Sequence, residues 1–158
     1  MTVACEKGNL RLCQWLQANG ANVSEHKGFT PLTGACKGGH LDICRWLHAN
    51  GAAEHVTLAC RDGYTPMIWA CAYGHLDICC WLYANGAIEH ITLANNFGST
   101  PMMKACAGGH LDICLWLLHA GVHLRIEDFK HHPEEWKMLG RMVSEELSLH
   151  RGFVSVVL

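Results

Sequence analysis

The chain of 158 residues is short of charge: only 16% of it is Asp, Glu, Lys or Arg, and the formal net charge is −2. It therefore lacks the basic field that holds a protein on nucleic acid. It has no apolar run near the ~18 residues that a membrane-spanning helix needs. Met1–Gly8 contains no basic stretch followed by a long apolar one, so no secretory leader is expected. There is no Cys-x-x-Cys pair of the kind that zinc sites use, and no glycine-rich phosphate loop. Low charge combined with 50% hydrophobic residues argues against disorder, and the length suits one domain with a real core.

What the chain does have is ten cysteines and twelve histidines. A disulfide framework, a metal site and a thiol-lined core each fit that count. Internal repetition separates them. The string Gly-His-Leu-Asp-Ile-Cys occurs at Gly39–Cys44, Gly74–Cys79 and Gly109–Cys114, 35 residues apart each time. Thr30-Pro31, Thr65-Pro66 and Thr100-Pro101 keep the same step, as do Trp46-Leu47, Trp81-Leu82 and Trp116-Leu117. Residues 28–62 and 63–97 are identical at 22 of 35 positions. A shorter copy opens the chain, with Trp15-Leu16 standing 31 residues before Trp46-Leu47.

Each unit spells two helices. Thr65 can cap a helix with Pro66 at its first position, where a missing N–H costs nothing. The short apolar run Met67–Ala72 continues it, and Gly74 supplies the positive φ that ends it. Leu76–Tyr83 then forms the second helix, with Asp77 in the first turn favoured by the helix dipole. Leu76, Cys79 and Leu82 lie on its apolar face, and Asn85-Gly86 closes it. Ala87–Phe97 reads as an extended connector. Two short helices cannot bury their apolar faces alone, whereas stacked copies can.

These residues resemble the ankyrin repeat. The matching stretches are Gly28-Phe29-Thr30-Pro31-Leu32, Ala35-Cys36, Gly39-His40-Leu41-Asp42 and Gly51-Ala52, and they cover about residues 1–121. The resemblance implies an all-α solenoid of stacked helix-turn-helix units with finger-like turns. It also implies a concave binding surface made by the fingers and the first helices. The expected organisation is a truncated N-terminal repeat at 1–27, repeats at 28–62, 63–97 and 98–132, and a C-terminal capping helix at 133–158. From Gly20 to Gly28 is 8 residues, while Gly51 to Gly63 and Gly86 to Gly98 are 12 each, so length varies only in the connecting fingers. Thr33, Ile68 and Met103 stand where the family's Thr-Pro-Leu-His has histidine. The bridging between repeats that such a histidine gives is therefore not expected. Met1 aligns with Leu32, so the first unit starts after its turn, as in a fragment or a truncated array. In the C-terminal segment, Trp136, Leu139, Val143 and Leu147 fall on one helical stripe. Its near-heptad spacing also suits a partner or dimer helix.

The cysteines fall into columns. Cys5, Cys36, Cys71 and Cys106 belong to first helices, and Cys13, Cys44, Cys79 and Cys114 to second helices, where the family has small apolar residues. A thiol-lined core is expected, with no bridges between neighbouring repeats because stacked helices lie ~8–10 Å apart and a disulfide needs Cα atoms within ~7 Å. A contact of the Cys36–Cys44 type inside one unit remains open. Abundant thiols and the lack of a leader point to an intracellular, cytoplasmic location. His40, His75 and His110 are read as turn and cap residues, His55 and His90 as solvated finger residues, and the Trp46, Trp81, Trp116 column as core.

Function is expected where the repeat is broken, because specific sites need non-repeating chemistry. By resemblance, partner contacts fall at Lys27, Phe29 and Lys37 in one unit. In the next they fall at Arg61, Asp62, Tyr64, Trp69 and Tyr73, and in the third at Phe97 and Lys104. Trp69 stands in a column otherwise holding Gly34 and Lys104. It is read either as the centre of an aromatic and arginine patch with Tyr64, Tyr73 and Arg61, or as packing against a finger. The expected function is non-catalytic protein–protein interaction by a monomer, without cofactor or metal and without nucleic-acid or membrane partners. The alternatives are a structural spacer or piece of a longer array, and a thiol or metal sensor.

Overall fold

A computed structural model of the chain describes residues 1–22, 29–123, 133–134, 137–141 and 144. Among them the chain forms successive helix pairs and no strand. The pairs are α1 (Thr2–Glu6) with α2 (Leu10–Ala18), α3 (Pro31–Gly38) with α4 (Leu41–Leu47), α5 (Pro66–Tyr73) with α6 (Leu76–Ala84), and α7 (Pro101–Gly108) with α8 (Leu111–His119).

The helix boundaries follow the local chemistry. Thr30, Thr65 and Thr100 are N-caps whose hydroxyl oxygens accept from the backbone N–H of Thr33, Ile68 and Met103 at 3.2, 3.2 and 3.3 Å. Proline follows at the first helical position in each case. Such a cap is worth about 1 kcal/mol. Gly39, Gly74 and Gly109 end these helices at φ of 82°, 82° and 75°, a region that residues with a Cβ avoid. In the second helices, Asp42 and Asp77 accept from the N–H of Ile43 and Ile78 at 2.8 and 2.9 Å, occupying orphan donors of the first turn.

The first helices α1, α3, α5 and α7 stack side by side in one layer, and the second helices α4, α6 and α8 stack behind them. Approach in the first layer is close: a Cβ on Gly34 would lie 2.8 Å from the Thr2 carbonyl oxygen. Between the layers runs one continuous core, which includes Leu32, Ile43, Leu47, Met67, Ile78, Leu82, Ile113 and Leu117. Leu139 is also buried in it, and residues 133–134, 137–141 and 144 are helical.

None of the ten cysteines is in a disulfide, and the eight column cysteines are fully buried in this core. Cys80 is exposed and Cys60 half-buried. A bulky aromatic disulfide reagent is therefore expected to titrate two thiols of the folded chain quickly and the other eight only on unfolding. Rapid reaction of all ten without denaturant would contradict the buried columns.

The tryptophan column departs from expectation. Trp46, Trp81 and Trp116 are half-buried and cover the edge of the core. Edge-to-face contacts tie the column across repeats: His48 to Trp81 at 5.5 Å and Tyr83 to Trp116 at 5.8 Å. The aligned Trp15 is 61% exposed. A ring this wide on the outer layer can bury only the side that faces the helix it leans on. The finger histidines depart too. After α4 the chain turns through the 3-10 segment Ala53–Val56, which packs on α3, and after α6 through Glu89–Ile91, which packs on α5 and α7. These turns fold their histidines inward, so His55 is 2% exposed rather than solvated. His90 is half-buried, and burial pushes its imidazole pKa below the ordinary value.

Candidate functional site

The fingers are short turns closed by the backbone. In one, Cys60 N–H donates to the Tyr64 carbonyl at 3.0 Å and Gly63 N–H to the Cys60 carbonyl at 2.9 Å. In the next, Asn95 takes the place of Cys60, and its side-chain oxygen accepts from the N–H of Phe97 and Ser99 at 3.0 and 2.9 Å. The two fingers are tied together. Asn96 donates its N–H to the Asp62 carbonyl at 3.0 Å and its side-chain amide to the Arg61 carbonyl at 2.8 Å. Gly63 is needed for this approach, since a Cβ there would lie 2.7 Å from the Asn96 side chain. Sequence reasoning missed Asn95; the Asn-for-Cys change between otherwise matching fingers was the available signal.

Below the fingers a second ladder joins the repeats. His40, His75 and His110 make no side-chain cap to their own helices. Their Nε2 atoms instead reach back to the carbonyl oxygens of Glu6, Lys37 and Ala72 in the preceding first helix, at 3.1, 3.1 and 3.3 Å. Only a carbonyl is offered, so Nε2 donates. The bracing not expected without the Thr-Pro-Leu-His histidine is thus supplied by the Gly-His column. Each ring lies over the glycine that ends the preceding first helix: His75 over Gly39 and His110 over Gly74.

On this frame the repeat-breaking aromatics converge. Trp69 on α5 stacks on Tyr64 of its own finger, with centroids 4.9 Å apart and planes at 27°. Phe29, just before α3, meets Trp69 edge-on at 5.8 Å. Tyr73, one turn along α5, lies 6.0 Å from Trp69, and Phe97 of the next finger lies 6.5 Å from Tyr64. Trp69 thus packs on its own finger and on Phe29 of the preceding one, and these rings together form an aromatic strip along three successive fingers. Its Nε1–H is buried without an acceptor among the described residues, so ring stacking holds it. Tyr73 remains 48% exposed and Phe97 66%.

The cations over these rings are lysines. Lys37 Nζ is 5.6 Å from the Trp69 ring and 5.7 Å from Tyr73, and Lys104 Nζ is 5.8 Å from Tyr64. Lys37 also pairs with Glu6 at 2.9 Å, a hydrogen bond that raises its pKa above the ordinary lysine value. Glu6 fills the same column one repeat earlier and was not among the candidate residues. Arg61 and Asp62 are exposed at the tip of their finger and are engaged through their carbonyls. Lys27 lies outside the described residues.

Stacked helix pairs braced by a histidine ladder, with fingers along one edge, define a repeat protein of the solenoid class. The profile of ankyrin repeats in three copies matches residues 1–93, and that of a single ankyrin repeat matches residues 97–129. The chain belongs to the ankyrin-repeat family. No curated protein matches it closely enough to stand as a relative. Ankyrin repeats generally mediate protein–protein interaction, and proteins built from them are typically non-catalytic. No helix among the described residues is long and apolar enough to cross a membrane.

Proposed function

We propose that this chain is a protein-binding module whose docking surface is the aromatic strip Phe29, Trp69, Tyr64 and Phe97, with Tyr73 beside it and Lys37 and Lys104 above the rings. The observation that supports this most is the contact of rings from three successive fingers around a tryptophan that the repeat itself does not demand. Rigid aromatics contribute large contact area at little entropic cost, and they dominate binding hot spots. The frame beneath is fixed by caps, finger-to-finger hydrogen bonds and the histidine ladder, so little ordering is left for binding to oppose. Arg61 and Asp62, exposed at the finger tip, form the rim of this surface. The segment from Pro133 onward is proposed to cover the end of the stack, with buried Leu139 as its anchor.

The test compares affinity capture by the wild-type chain, a Trp69→Ala/Tyr73→Ala double variant and a Trp15→Ala control on the opposite layer. Proteins recovered with wild type and control are expected to bind the double variant at least ~10-fold more weakly, a loss of about 1.4 kcal/mol. A double variant with wild-type circular dichroism and full recovery of every partner would remove the strip from consideration.

A further inference from the structure

The buried thiols meet in pairs, and the pairing is the same in every repeat. Cys5 and Cys13 have sulfurs 3.2 Å apart, Cys36 and Cys44 3.7 Å, Cys71 and Cys79 3.6 Å, and Cys106 and Cys114 3.6 Å. Each pair joins the first helix of a repeat to its second, always eight residues apart. The two helices are already tied by a tight turn, in which the His40 and His75 N–H groups donate to the Ala35 and Ala70 carbonyls at 3.1 and 3.0 Å. A disulfide bond of about 2.05 Å requires the Cys5 and Cys13 sulfurs to close by about 1.2 Å and those of the other three pairs by about 1.6 Å. Among the described residues no group of three or more His, Cys, Asp or Glu converges as the ligands of a metal ion would. The shortest thiol contacts are pairwise within each repeat, which is the arrangement a disulfide needs before it can form.

We infer that each ankyrin repeat of this chain carries a latent redox modification site, at which a hydroperoxide converts the contacting first-helix and second-helix thiols into a disulfide within the repeat. This does not rest on the docking surface. The step balances as two thiols and one hydroperoxide giving one disulfide and the two reduced oxygens. One sulfur attacks the peroxide, the O–O bond breaks, the sulfur becomes a sulfenic acid, and the other oxygen leaves as water or an alcohol. The second sulfur then attacks the sulfenic sulfur. An S–S bond forms, the S–O bond breaks, and the hydroxyl leaves as water with the second thiol's proton. Both sulfurs are oxidised and the peroxide is reduced.

Burial selects the oxidant. No column sulfur is exposed, so a bulky disulfide reagent cannot reach one in the folded chain, whereas hydrogen peroxide is little larger than water. Burial also holds the Cys36 and Cys71 thiols protonated, well above their usual pKa, which slows the first attack relative to exposed Cys80. Once a sulfenic acid forms, its partner is already in contact. Ring closure then competes with a second peroxide, and further oxidation to sulfinic acid is suppressed.

The test treats the full folded chain with hydrogen peroxide, alkylates the remaining thiols and maps the peptides by mass spectrometry. Cys60 and Cys80 are expected to oxidise first. Cross-links Cys5–Cys13, Cys36–Cys44, Cys71–Cys79 and Cys106–Cys114 follow, each lighter by two hydrogens and restored by a reductant. In Cys79→Ala the Cys71–Cys79 link disappears, Cys71 proceeds to sulfinic acid, and the other three links persist. Should that variant fail to fold, the wild-type map decides alone. Links joining different repeats, sulfinic acids without links, or column thiols that stay reduced long after Cys80 is fully oxidised would each overturn the inference.

Discussion

Replacing Gly74 with alanine is expected to destabilise the chain by about 3 kcal/mol, roughly twice the cost of the same change at Gly109. Both glycines end a first helix in the left-handed region, at φ of 82° and 75°. Holding an L-residue there costs about 1–2 kcal/mol, and both variants bear that cost. They differ in what lies above. A Cβ on Gly74 would stand 2.6 Å from His110 Cε1, inside van der Waals contact. A Cβ on Gly109 would meet nothing within 4 Å among the described residues. To relieve the clash the imidazole must lift, and its bond to the Ala72 carbonyl is lost. A hydrogen bond broken in a half-buried joint adds about 1–2 kcal/mol. Urea unfolding of the two variants beside wild type measures the difference. Equal losses would mean that the histidine ladder does not bear on the glycine beneath it.

Leu82→Ala is expected to cost about 2–5 kcal/mol, because it removes a fully buried side chain from the middle of the stack. Leu82 belongs to α6, whose neighbours α4 and α8 flank it on both sides. The cavity therefore weakens the repeat itself and both of its interfaces. In a solenoid, stability is approximately a sum over repeats and nearest-neighbour contacts. A lesion at the centre should then split the unfolding transition, and a fall in the denaturant slope would report it. Cys80→Ala, two residues away on the exposed face, should shift stability by no more than ~0.5 kcal/mol. If Leu82→Ala unfolds at the wild-type midpoint, the core does not run between the helix layers as described.

Much of this architecture was legible because its signals are local. The Thr-Pro caps, the glycines at positive φ and the cysteine columns act within one helix or turn, and repetition printed each of them several times. The tryptophan column shows where that logic weakens. An invariant column says that every repeat needs the residue, but not whether it fills the interior or covers its edge. Trp46, Trp81 and Trp116 cover the edge, where the Trp81 and Trp116 rings meet His48 and Tyr83 of the preceding repeat. His55 failed in the other direction. A Glu-His step in a polar connector looks solvated until a 3-10 turn rotates the ring under the finger.

The candidate site was legible only in part, for the same reason. Trp69 could be singled out because its column otherwise holds Gly34 and Lys104. Its neighbours Tyr64 and Tyr73 could be grouped with it because they stand in the same unit; its contacts with Phe29 and Lys37, a repeat before it, and its link to Phe97 through Tyr64 could not. Arg61 looked like the cation of the patch by proximity in sequence. The stacking placed Lys37 and Lys104 over the rings instead.

By itself the sequence determined the unit: two short helices, their caps, the residues that must be apolar and the family to which the pattern belongs. Tertiary structure alone decided what the units do to one another. The bonds from His75 to the Lys37 carbonyl and from His110 to the Ala72 carbonyl each span 38 residues, and Lys37 pairs with Glu6 across 31. Caps and periodicity reach only a turn or two along the chain. Separations of a whole repeat are set by how closely the helices stack, and in the first layer that spacing is held open to backbone contact by Gly34 and Gly38. The sulfur pairs stand between these two cases. Eight residues and one tight turn separate their members, so the columns were visible in the sequence, and their contact appeared only once the two helices of a repeat had folded together.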